Sequence, residues 1–120
     1  MVDIRPSQIA LAGEDQLGEA LRRLREQARR ATGDELDQIQ ALRARINRRL
    51  DLFLGLDMAS IDQDPKVREA TQRLAVLTLQ VSGAVKEMRT VKSAIQQATK
   101  VVDIADELLG LLAPAALGLG

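Results

Sequence analysis

Four groups of carboxylates are the side chains in this sequence best suited by type and spacing to do chemistry: Glu14-Asp15, Asp34-Glu35-Asp37, Asp62-x-Asp64 and Asp103-x-x-Asp106-Glu107. The chain contains no His, Cys or Tyr. A general acid or base therefore has to be Asp, Glu or Lys, and a nucleophile has to be Ser, Thr, Lys or a carboxylate. The first three groups fall where helices are expected to start, and helix N-termini favour those side chains as caps and as partners of the macrodipole. The fourth lies on the outer face of a predicted helix, where a solvated surface accounts for it. Asp62-Gln63-Asp64 opens like a calcium loop but lacks the third oxygen ligand, the central Gly and the closing Glu. The glycines of LGLLAPAALGLG, residues 109–120, are followed by no Lys and preceded by no strand pattern, so they form no phosphate loop. The sequence thus predicts a protein that is not an enzyme, with no catalytic residue, no cofactor site and no metal site.

Basic residues are the next candidates. Lys and Arg number 17 against 17 Asp and Glu, for zero net charge, so no global field steers nucleic acid or anionic lipid. Thirteen of the basic residues are Arg, which in a chain so rich in Ala, Leu and Gly reads as codon bias rather than phosphate binding. Arg22, Arg25 and Arg29 share one face of a predicted helix, and Arg45, Arg48 and Arg49 share a face of the next. Single-stranded nucleic acid would also need stacking aromatics, and Phe53 is the sole aromatic residue. Nucleic acid is therefore disfavoured, and these arginines are expected to be solvated and paired with acidic neighbours.

The elements that position these groups are all helical. Leu17, Leu21, Leu24, Ala28 and Ala31 predict a first helix over about 14–32. Leu36, Ile39, Ile46, Leu50 and Phe53 predict a second over about 34–56, with Arg43 at one seam position. Between them Thr32-Gly33-Asp34-Glu35 breaks the apolar phase, and Thr32 with Glu35 fits a capping box. Gly33 is read as either a mild bend or a full reversal. Asp64-Pro65 then supplies a cap and a first-turn proline. From there Val67, Ala70, Leu74, Leu77, Val81, Ala84, Met88, Val91, Ile95, Ala98, Val102, Ala105, Leu109 and Leu112 alternate spacings of three and four without a slip. This predicts one heptad-patterned helix over about 65–112, roughly 70 Å long, continuous through Ser82-Gly83. The uncharged stretches LAVLTLQVSGAV (residues 74–85) and Leu50, Leu52, Phe53, Leu54 and Leu56 are expected to be buried on more than one side.

The expected fold is all-α: a single domain over 1–120, built as a long helical hairpin or a three-helix bundle with a C-terminal helix of roughly 45 residues. A first helix of about 19 residues covers only part of that long helix. The strip Met88, Val91, Ile95, Ala98, Val102, Ala105, Leu109 and Leu112 is therefore the predicted interaction seam. The expected function is non-catalytic protein–protein association, as a homo-oligomer or with a helical partner. The chain's last residues, 113–120, carry no charge, and Leu117 and Leu119 are expected to dock against a helix of this subunit or the next. The alternative function is a membrane-active, pore-forming or peripheral helical protein that exposes residues 74–85 and the C-terminal tail. No signal peptide or run of 18 apolar residues is found, which makes a cytoplasmic location the default and leaves secretion by a signal-less route open.

Overall fold

The computed structural model describes residues 4–113. These residues are 85% helix with no strand, and six helices pack together. In chain order they are α1 (Pro6–Ala28), α2 (Gly33–Leu54), α3 (Met58–Gln63), α4 (Pro65–Glu69), α5 (Thr71–Lys86) and α6 (Val91–Leu112).

Helix α1 starts eight residues earlier than its largest side chains suggest. Pro6 occupies the first turn, where its missing N–H costs nothing, and the Gln8 side chain accepts from the Arg5 N–H at 3.0 Å. Ile9, Ala10 and Gly13 continue the buried stripe of Leu17, Ala20 and Leu24. Gly13 is small because the ring of Phe53 lies against it, 3.4 Å from where a Cβ would stand. The connection over residues 29–32 is a full reversal, and Gly33 takes φ +59°, the left-handed region that glycine enters without strain. Thr32 is the N-cap of α2, but its side chain makes no cap hydrogen bond, so the expected Thr32–Glu35 box does not form.

The single helix expected over 65–112 is three helices. Asp64 does cap Pro65, accepting from the Lys66 and Val67 N–H groups at 2.9 and 3.4 Å. A one-residue irregularity at Ala70 separates α4 from α5. Ser82-Gly83 lies inside α5, as the continuous phase required, and the chain reverses instead at residues 87–90. Burial is the physical reason. A straight helix would leave the apolar stripe beyond Lys86 in water, whereas the reversal buries Ala94, Ala98, Val101, Val102, Ala105, Leu108, Leu109 and Leu112. At about 1.5–3 kcal/mol for each large aliphatic side chain, that outweighs the helical preference of four hinge residues.

Four long helices therefore replace the expected hairpin or three-helix bundle. Helices α1 and α2 form one antiparallel hairpin and α5 and α6 a second; α1 and α6 pack on each other and each packs on both α2 and α5. Gln38, Leu42 and Arg45 of α2 meet Ile95 and Thr99 of α6, and further along Arg49 meets Asp106, so α2 and α6 run parallel. The short helices α3 and α4 carry the chain from α2 across to α5. The result is a slab, 47 × 33 × 16 Å, with α1 and α6 central and α2 and α5 at its two edges. Burial follows this placement: α1 and α6 each bury eight residues, against four on α2 and five on α5.

Candidate functional site

Asp57, Asp62, Asp106 and Glu107 have structural roles, whereas Glu14 and Asp15, expected at a helix start, lie inside α1. Asp57 caps α3 through the Ala59 and Ser60 N–H groups and the Ser60 hydroxyl. Asp62 accepts from the Ser7 N–H at 2.9 Å and the Ser7 hydroxyl at 2.6 Å. Asp106 accepts from Nε and Nη2 of the Arg49 guanidinium, at 2.8 and 3.1 Å, and Glu107 receives Arg73 at 2.7 Å. The acidic face of α6 thus ties that helix to α2 on one side and α5 on the other.

Three carboxyls have displaced acidities, all in one direction. Hydrogen bonding from Arg22 holds Glu19 low, the Ser60 hydroxyl holds Asp57 low, and the Ser7 hydroxyl holds Asp62 low. A general acid or base working near neutral pH needs the opposite displacement, because a carboxylate with a depressed pKa is a poorer proton acceptor. Among the described residues no three carboxylates gather in a group suited to a metal ion.

A cleft of about 510 Å³ lies at the start of α1 between Ile4, Arg5, Pro6, Asp62, Arg68 and Thr71. Its carboxylate is already engaged by Ser7, and Arg5 and Arg68 beside it are exposed. The arginine faces are likewise occupied in part: Arg22 bonds Glu19 and Glu26 on its own helix, and Arg23 bonds Glu19.

The predicted interaction seam faces its own chain. Met88, Ala98, Val102, Ala105, Leu109 and Leu112 are buried in the bundle core, and Val91 and Ile95 are half-buried against it. Association along that seam would require α6 to leave the bundle. Leu117 and Leu119 lie outside the described residues.

Sequence reasoning passed over the outer face of α5. Residues 74–85 were expected to be buried on several sides, yet α5 is an edge helix, and among the described residues its outward stripe Gln72, Val76, Leu79 and Gly83 has no helix over it. Val76 is 41% and Leu79 72% exposed. Leu52 and Leu54, at the end of α2, are exposed for the same reason. The signal was the missing charge itself: an edge helix would ordinarily place Lys, Glu or Arg on that stripe. Among the described residues no helix is long and apolar enough to cross a membrane. No family model, curated protein or solved structure matches this chain.

Proposed function

We infer that the chain is a non-catalytic helical protein–protein interaction subunit, and that its partner is a second copy of itself met along the outer face of α5. The observation that carries this is the run from Leu74 to Val85, which has no charge on any side while Val76 and Leu79 stand in solvent. An exposed apolar stripe is relieved by covering it.

The stripe is also self-complementary. Val76 precedes Leu79 by three residues and Gly83 follows it by four, and a Cβ at Gly83 would meet nothing within 4 Å. Two α5 helices laid antiparallel across a two-fold axis near Leu79 set each Val76 against the space over the other copy's Gly83. Zero net charge means that identical copies do not repel.

One helix of 16 residues is roughly 24 Å long and supplies a small interface, so weak association is the expectation. Sedimentation equilibrium at high micromolar concentration should show a monomer–dimer equilibrium that Leu79→Glu abolishes while the helical circular dichroism is unchanged. A strictly monomeric protein overturns the proposal. Dye release from liposomes by the full chain, lost with Leu79→Glu, favours the membrane-active alternative instead.

A further inference from the structure

The two reversals in this fold are made differently. The α1–α2 connection is fixed by Gly33 at φ +59°, which a continuous helix cannot absorb. The α5–α6 connection, Glu87-Met88-Arg89-Thr90, has neither Gly nor Pro and no positive φ. Lys86, Glu87, Met88 and Arg89 are all good helix formers. The apolar phase also runs unbroken through the reversal, from Ala84 to Met88 to Val91 to Ile95.

Burial of Met88, 1% exposed, holds the turn closed together with a set of polar contacts. The Thr90 hydroxyl accepts from the Ser93 N–H at 3.1 Å, the Ser93 hydroxyl accepts from the Thr90 N–H at 2.9 Å, and Gln27 on α1 donates to the Arg89 carbonyl at 3.1 Å. Straightening the turn would satisfy the carbonyls at the end of α5 and the N–H groups at the start of α6 within one helix. That helix, Thr71–Leu112, would span roughly 63 Å, longer than the 47 Å molecule, so α6 would have to leave its own bundle.

We propose that two copies of the chain exchange α6, with residues 87–90 straightened into helix and each α6 filling the place between α1, α2 and α5 of the other copy. The exchange keeps the contacts of α6 with α1, α2 and α5, now made between chains, including Arg49 with Asp106 and Arg73 with Glu107, and gives up the Thr90–Ser93 cap. It places the heptad phase that the monomer interrupts on one continuous helix. It rests on the self-assembly reading only in taking a second copy as partner and does not use the outer face of α5.

The chain has no cysteine, so Arg73→Cys with Glu107→Cys gives a clean pair for a short bismaleimide. Bridging the dimer of the full chain and running a denaturing gel reads the connectivity, with the two single-cysteine variants as controls for face-to-face contact. Bridges that join two chains only in the double variant support exchange. Bridges within one chain overturn it and leave association along α5 standing; a chain that never dimerises overturns both. Two Gly inserted between Met88 and Arg89 should cut the joined species at least ten-fold with the monomer's circular dichroism unchanged, and an undiminished joined species overturns the proposal. Thr90→Ala, which removes the cap of the closed turn, should raise it about five-fold.

Discussion

Asp62 on α3 caps α1 through a residue 55 positions before it, accepting both the backbone N–H and the hydroxyl of Ser7 in the first turn of that helix. The bond closes the end of the slab where the crossing segment α3–α4 passes under α1. Asp62→Ala should cost about 1 kcal/mol, the usual worth of an N-terminal cap, measured as a shift in the urea midpoint at neutral pH.

The same contact gives a pH dependence of known sign. The Ser7 hydroxyl and N–H hold the Asp62 carboxyl below its ordinary range, partial burial opposes them, and Arg5 and Arg68 add attraction. A depressed folded-state pKa contributes stability that is complete above the unfolded value of about 3.9 and is lost as pH falls through the lower folded value. The gap between wild type and Asp62→Ala should therefore hold from neutral pH to about 5 and narrow as acid titrates the carboxyl below its ordinary range. Urea titrations across that range check it, and a gap that widens in acid contradicts the assignment.

Glycine substitutions at two open positions should act in opposite directions. A Cβ meets nothing within 4 Å at Gly33 or at Gly83. At Gly33 the backbone is left-handed, so Gly33→Ala should cost about 1–2 kcal/mol. Gly83 lies inside α5, where Gly83→Ala should gain about 0.5–1 kcal/mol. Paired urea midpoints at high and low protein concentration would separate this gain from any effect on self-association.

These cases mark what could be read from the residues. Asp64-Pro65 and the Thr32-Gly33 break were legible because capping and backbone freedom are local properties of those residues. The reversal at residues 87–90 was not legible, because no residue there resists a helix and the preference that wins is burial of side chains as far away as Leu112. The stripe from Met88 to Leu112 was read as an interaction seam, and in the structure it packs on α1, α2 and α5. A heptad phase, however, is the same whether its partner comes from another chain or from α1, α2 and α5 of its own. The bare face of α5 was missed because an uncharged helix was equated with a central one.

Arg49 and Asp106 should be energetically coupled. Arg49 is 18% exposed, donates to the Arg45 carbonyl as well, and meets Asp106 through Nε and Nη2 across the α2–α6 groove. A double-mutant cycle with Arg49→Ala and Asp106→Ala should give about 0.5–1 kcal/mol, falling as salt is raised. Arg73 with Glu107 is the more exposed pair and makes one contact, so its coupling should be the smaller of the two.

Gln27 should reveal how firmly the α5–α6 turn is held. It is 5% exposed; its Nε2 donates to the Arg89 carbonyl, while its Oε1 is buried with no hydrogen-bond partner among the described residues. Truncation and replacement are then different experiments. Gln27→Ala removes packing as well as the turn contact and should cost about 2 kcal/mol. Gln27→Met keeps the volume and removes the orphaned acceptor, while the Arg89 carbonyl, on an exposed residue, can turn to water. Its cost should stay within about 1 kcal/mol, because a buried acceptor without a partner is itself destabilising. Yet Gln27→Met also releases one of the few ties on the closed turn. If α6 exchanges between copies, this variant should dimerise more than wild type despite near-unchanged stability of the monomer. Sedimentation equilibrium beside urea unfolding separates the two effects, and a variant that loses stability without gaining dimer would show that Gln27 matters to packing alone.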